Sequence, residues 1–192
     1  MKKVGITGGI GSGKTVVARI LETMGYPVYY SDLQAKELTD SDPLIREGLI
    51  RLAGPEVYVN GILDREYLAR VIFQDDILRE KVNQLIHPRV RAHFSEWCAE
   101  QKGPIVFNEA AILFETGGYT MLDRMILVVA PLEKRINRVM LRDGISREQV
   151  LDRISKQWDD ERKIPLADFV VINDDQTPLL HQVEDTLASL LA

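Results

Sequence analysis

The sequence predicts an α/β protein built on a doubly wound, five-stranded parallel sheet. Two patterns carry that prediction: five short, β-branched apolar runs, and longer helical stretches between them. The composition agrees with it, since 45% of the 192 residues are hydrophobic and 28% charged, enough to bury a core. Apolar runs without polar alternation suit strands covered on both faces, and strands separated by helices form a parallel layer. A chain of this length makes one compact domain with room for a small inserted or lid subdomain.

Lys3-Val4-Gly5-Ile6-Thr7 reads as the first strand and Pro27-Val28-Tyr29-Tyr30 as the second. Pro104-Ile105-Val106-Phe107-Asn108, Met125-Ile126-Leu127-Val128-Val129 and Phe169-Val170-Val171-Ile172 supply the other three. The stretch between strands two and three is too long for a single crossover. In it Asp42-Pro43 forms an N-cap and first-turn pair, and Asn60-Gly61 is a turn dipeptide after Val57-Tyr58-Val59. Asp64 then caps a helix carrying Leu68, Val71 and Ile72. Residues 32–100 are therefore expected to form a mostly helical, acceptor-binding insertion. After strand four, one helix is expected over about 132–142 and another over about 146–163, opened by a capping box of Ser146 and Gln149. That pair suits a helical lid over 132–163, leaving 1–31, 101–131 and 164–192 as the core.

The bulk properties exclude several classes. A net charge of −5 disfavours non-specific binding to nucleic acid or to an anionic membrane. Cys98 is the only cysteine, which rules out an intrachain disulfide or a cysteine metal site, and Phe94-Ser95-Glu96-Trp97-Cys98-Ala99 reads as a packed helix face. The apolar run after Met1-Lys2-Lys3 is short and broken by glycine, unlike a secretory signal, and no stretch approaches the ~20 apolar residues that cross a bilayer. A cytoplasmic protein is expected, monomeric or a small homo-oligomer.

Gly8-Gly9-Ile10-Gly11-Ser12-Gly13-Lys14-Thr15 satisfies G-x-x-x-x-G-K-[ST], with a strand before it and a helix starting at Val16-Val17-Ala18 after it. Glycines let successive backbone N–H groups turn inward around phosphate oxygens, and the helix N-terminus adds partial positive charge. Gly11, Ser12, Gly13, Lys14, Thr15 and Val16 are thus the candidate nucleotide-binding residues. Lys14 reaches the β- and γ-phosphates of ATP, and the Thr15 hydroxyl is the candidate Mg²⁺ ligand. The competing explanation, a glycine-rich turn followed by a chance Lys-Thr, does not account for the matching flanks. The chain has no Asn-Lys-x-Asp base-reading segment of a GTPase, and strand three runs into Asn108-Glu109-Ala110-Ala111 rather than a Walker-B aspartate. A small-molecule kinase is the better reading, ahead of a nucleotide-driven switch.

A kinase acceptor hydroxyl needs a carboxylate to take its proton. Asp32 follows the second strand on the sheet edge where such sites form, although it also suits the cap of the next helix. Arg135, Arg138 and Arg142 recur at helical spacing and share a face, with Leu132, Ile136, Val139 and Met140 opposite. The stripe is either a solvated face or a lid surface that neutralises γ-phosphate charge. His87-Pro88 and the acids Glu109 and Glu115 stand out without receiving a role from composition.

Several ordered segments, from about residue 3 to residue 174, resemble the dephospho-CoA kinase family. They are Ile6-Thr7-Gly8-Gly9-Ile10-Gly11-Ser12-Gly13-Lys14; Gly61-Ile62-Leu63-Asp64-Arg65 with Leu68-Ala69 and Phe73; Leu85-Ile86-His87-Pro88; and Ile112-Leu113-Phe114-Glu115. The series continues with Arg142-Asp143, Arg147, Gln157, Arg162 and Ala167-Asp168-Phe169-Val170-Val171-Ile172-Asn173. The resemblance implies a P-loop kinase fold and transfer of phosphate from ATP to the 3′-hydroxyl of dephospho-CoA. It implies Asp32 as general base, Lys14 as phosphate clamp and Arg142 as a lid arginine. It also puts Asn173 on the nucleotide side and Thr7, Asp32, His87 and Glu115 on the acceptor side. Two positions depart from the family pattern: Tyr30 stands where an aspartate is usual, and Ala111 where proline precedes the Leu-Leu-Phe-Glu segment. Other kinases of similar fold, for nucleoside monophosphates or shikimate, are the alternatives.

Overall fold

A computed structural model describes residues 1–73 and 75–192. The described chain forms two compact units, one of Met1–Tyr30 with Gln101–Ala192 and one of Ser31–Glu100.

In the first unit, β1 (Lys2–Thr7), β2 (Val28–Tyr30), β5 (Ile105–Glu109), β6 (Arg124–Val129) and β7 (Phe169–Ile172) form one sheet, ordered β2-β5-β1-β6-β7. Every pairing in it is parallel, as the unbroken apolar runs predict. Side chains alternate between two covered faces. Ile126 and Val128 of β6 pack with Val4, Ile6 and Phe107 against Val17, Ala18 and Leu21 of α1 (Lys14–Thr23). Val183 and Leu190 of α9 (Leu179–Leu191) complete that layer. Met125 and Leu127 face the other way, onto Leu113 and Phe114. The order puts β5 beside β1, so Glu109 is the register partner of Ile6 on one side and of Tyr30 on the other.

After β6 come α6 (Leu132–Asp143), α7 (Arg147–Ser155) and α8 (Asp160–Lys163). Ser146 and Gln149 form the expected capping box at the start of α7. The single helix expected over 146–163 is instead two. The chain leaves the helix after Ser155, and Asp159 starts the next one by accepting a hydrogen bond from the Arg162 N–H at 2.8 Å.

The second unit carries α2 (Ser31–Ser41), α3 (Pro43–Ala53), β3 (Tyr58–Val59), β4 (Ile62–Leu63), α4 (Arg65–Phe73) and α5 (Asp76–Glu100). Asp42 caps α3, accepting from the Leu44 and Ile45 N–H groups with Pro43 in the first turn, and Asp64 accepts from the Tyr67 N–H at 2.9 Å. Asn60-Gly61 closes a hairpin between β3 and β4, with positive φ at both residues as the tightest antiparallel turn requires. Ile45, Leu49, Val57, Leu63, Leu68 and Val82 form this unit's own core. Cys98 is buried on α5, on the packed face its neighbours predict. No helix among the described residues is long and apolar enough to cross a membrane.

Candidate active site

The loop between β1 and α1 lies at the C-terminal end of the sheet, where a helix N-terminus meets the strand edge. Gly9, Gly11, Gly13, Lys14, Thr15, Val16, Arg19, Arg138, Val139 and Arg142 surround a cavity of about 300 Å³. Four of these side chains are cationic, Lys14, Arg19, Arg138 and Arg142, so the space suits a polyanion. Gly13, with φ of 94°, holds the left-handed turn that starts α1, and a Cβ there would strike the Asn173 amide. That amide donates to the Ser12 carbonyl at 2.8 Å, which ties the end of β7 to the loop.

Glu109 is the residue that sequence reasoning left without a role. Its side chain is almost fully buried at the end of β5, 3.2 Å from the Lys14 ammonium, and it accepts a hydrogen bond from the Thr15 hydroxyl at 3.0 Å. No Walker-B aspartate ends this strand, as the sequence indicates, but the Glu109 carboxylate stands beside Lys14 and Thr15. A signal was available in an acid closing a strand that opens on Ile105-Val106-Phe107. Reading it required knowing that β5 adjoins β1.

Beside the Lys14 ammonium, the Thr15 hydroxyl and the Glu109 carboxylate bring together oxygens of the kind a hard divalent cation takes. Among the described residues no group of three or more His, Cys, Asp or Glu side chains clusters as metal ligands. Mg²⁺ carried on nucleotide phosphates needs only one or two protein oxygens, and the Thr15 hydroxyl and Glu109 carboxylate fit that need.

The arginines of α6 separate in the structure. Arg142 is exposed and makes a two-pronged contact with Asp143, at 2.7 and 3.1 Å, which Arg153 joins at 2.8 Å. Hydrogen bonding to Asp143 raises the Arg142 pKa, and the same contact holds the Asp143 carboxyl below the usual carboxylate range. Arg138 donates to the Gly11 carbonyl at 3.3 Å and pairs with Asp175 at 2.6 Å. Arg135 is buried, which removes it from the solvated face that is one of the two readings of the stripe, and it donates to the Ile10 carbonyl at 3.0 Å. Leu132, expected on the buried face, is half exposed at the helix start.

The remaining candidates are not among the residues that line this cavity. Thr7 is fully buried at the end of β1. Glu115 pairs with the buried Lys163 at 2.8 Å and accepts from the Trp158 N–H at 3.1 Å, joining the segment before β6 to the chain around α8. Asp32 and His87 belong to the helical unit. Asp32 is exposed in the first turn of α2, and His87 is half-buried on α5. Burial and then Arg91 lower the His87 pKa, while Glu80 and Asp32 oppose them. Tyr30, the departure from the family pattern, donates its hydroxyl to Glu22 at 2.7 Å.

Comparison with known proteins points to one family. Residues 2–178 match the family described as CoaE, dephospho-CoA kinase. A dephospho-CoA kinase of Bacteroides fragilis is 44% identical over 189 residues, covering 98% of this chain and 92% of its own length. A crystal structure of TT1252 from Thermus thermophilus superposes with a TM-score of 0.86 at 40% identity, covering 99% of this chain and 96% of that one. A dephospho-CoA kinase from Campylobacter jejuni, at 24% identity and a TM-score of 0.73, shares the fold over 99% of this chain and 98% of its own. With an intact phosphate-binding loop at the head of a parallel sheet and family likeness along nearly its whole length, the chain belongs to the dephospho-CoA kinase family.

Proposed function

We infer that the protein transfers the γ-phosphoryl group of ATP to the 3′-hydroxyl of dephospho-CoA, giving coenzyme A and ADP. The observation that carries this reading is the 44% identity to a dephospho-CoA kinase, sustained over 98% of the chain. The cationic cavity around Lys14 and Thr15 supports the nucleotide half of it. Mg²⁺ bound with the nucleotide would be held by Thr15 and Glu109 and would neutralise charge on the β- and γ-oxygens.

The chain's own groups supply the rest. Backbone N–H groups of Gly11 to Val16 cradle the phosphates, with Asn173 fixing the loop at Ser12. Lys14 leaves Glu109 for the phosphate oxygens, and Arg142 neutralises charge spreading onto the transferring group. Asp32 accepts the proton of the 3′-hydroxyl and orients the oxygen for in-line attack. Its support is chain continuity, since Asp32 lies two residues beyond Tyr30, the register partner of Glu109. Residues 32–100, with His87, form the acceptor domain, and 132–163 form a lid whose closure excludes water. Thr7 and Glu115 complete the proposed acceptor side. The reaction is assigned to the cytoplasm.

The test is ADP formation from Mg·ATP with dephospho-CoA, AMP, CMP or shikimate offered singly, against a control without acceptor. Turnover with dephospho-CoA alone, yielding coenzyme A, is expected. Turnover with a different acceptor would keep the kinase class and remove the substrate. ADP formation indifferent to every acceptor would favour a nucleotide-driven switch.

A further inference from the structure

Three successive carbonyls of the phosphate-binding loop are held by side chains from distant parts of the first unit. Ile10 O accepts from Arg135 Nε at 3.0 Å, Gly11 O from Arg138 at 3.3 Å, and Ser12 O from Asn173 Nδ2 at 2.8 Å. Ile10 is gripped on its other polar group as well, because its N–H donates to Gln157 Oε1 at 2.8 Å. Gln157 lies in the break between α7 and α8, and Arg135 continues to Asp160 of α8 at 3.4 Å. The approach is close enough that a Cβ at Gly9 would collide with the Arg135 guanidinium.

A loop binds phosphate through N–H groups, so its carbonyls must turn the other way and find donors there. We propose that Arg135 and Gln157 are positioning residues that hold the two peptide groups flanking Ile10 in the phosphate-binding shape, so that these two side chains set nucleotide affinity without touching the nucleotide. Arg135 is 7% exposed and committed to Ile10 and Asp160, so this role replaces a direct phosphate contact for it. The grip also explains why the chain leaves the helix after Ser155: the break turns Gln157 to the loop, and the Trp158 N–H meets Glu115.

The proposal rests on the nucleotide reading of this site, and its test separates the two. Removing Arg135 would leave Asp160 without its buried partner and threatens folding, so Gln157 is the residue to change. Gln157→Met keeps length and shape but removes the acceptor, and Gln157→Glu restores one. Exchange of the Ile10 amide, followed by NMR in the nucleotide-free protein, is expected to speed up by about tenfold or more in Gln157→Met and to return toward the parent rate in Gln157→Glu. ADP dissociation constants and the KM for ATP should rise about tenfold in the Met variant, with the KM for dephospho-CoA unchanged and partial recovery in the Glu variant. Unchanged Ile10 exchange in Gln157→Met overturns the brace. So do faster exchange with ADP affinity within about twofold of the parent, or equal losses in both variants. A parent protein that fails to bind ADP would refute the nucleotide reading and with it the proposed control of affinity.

Discussion

The two units place their chemistry in opposite ways. In the first, the phosphate loop is braced from both sides: Lys14 and Thr15 meet Glu109, and the carbonyls on the loop's outer side meet Arg135, Arg138 and Asn173. In the second, the proposed base, Asp32, is an exposed carboxylate in the first turn of a helix, and the groups around His87 pull its pKa in both directions. A site for a constant ligand, the polyphosphate, is worth building rigidly. A base that must meet a hydroxyl and let the product go is better left accessible. The contrast predicts that damage to the first unit appears as lost nucleotide binding, and damage to the second as lost turnover.

The sharpest break in that contrast comes from paired substitutions. Asp32→Asn should lower kcat by about 10²–10⁴-fold, the range of one general base, while ADP binding in a direct titration stays within about twofold. Lys14→Ala should lose transfer together with most nucleotide affinity. Near-parent turnover in Asp32→Asn would take Asp32 out of the proton-transfer step. A Lys14→Ala protein that still binds and turns over ATP would undo the phosphate-loop assignment.

A smaller effect tests whether the second unit is held together as the first is. Asp42 caps α3 through two backbone N–H groups and pairs with Arg89 of α5 at 2.7 Å. Burial works to raise its pKa, but Arg89 and the two N–H groups outweigh that and hold the carboxyl below its ordinary range. Asp42→Ala should destabilise the protein by about 1–2 kcal/mol in urea unfolding, with ADP affinity unaffected. A loss confined to nucleotide binding would contradict the division of labour.

What the sequence made legible follows from how local each constraint is. The five strands could be read because each apolar run carries its own burial requirement, and the phosphate loop because its glycines, lysine and threonine answer one ligand within eight residues. The Asp42 cap and the Ser146–Gln149 box were local too. Glu109 was not legible, because its contact with Thr15 depends on β5 lying beside β1, a fact of strand order. Periodicity put Arg135 on a polar face because helical spacing cannot tell a solvated guanidinium from one buried against a loop. Lys163 was invisible for the same reason, since nothing about a lysine near a helix end announces a buried pair with Glu115.

The finest test concerns His87 and bears on Asp32 directly. Burial first, then Arg91, hold the His87 pKa below its ordinary 6.5 in the folded protein. As pH falls, the unfolded chain takes up the proton first. The stability contributed by the neutral imidazole is therefore complete above the unfolded pKa, and is lost as pH drops through 6.5 toward the depressed folded value. Replacing His87 with glutamine should flatten the unfolding free energy between about pH 7 and pH 5 relative to the parent. Asp32 and Glu80 oppose that depression, so Asp32→Asn should push the His87 titration lower still, read from the imidazole proton shifts by NMR. A His87 titration that ignores Asp32 would separate the two residues. A difference profile of opposite slope would mean that the acids, not burial, govern this histidine, and that the helical unit holds a charged imidazole beside its exposed carboxylate.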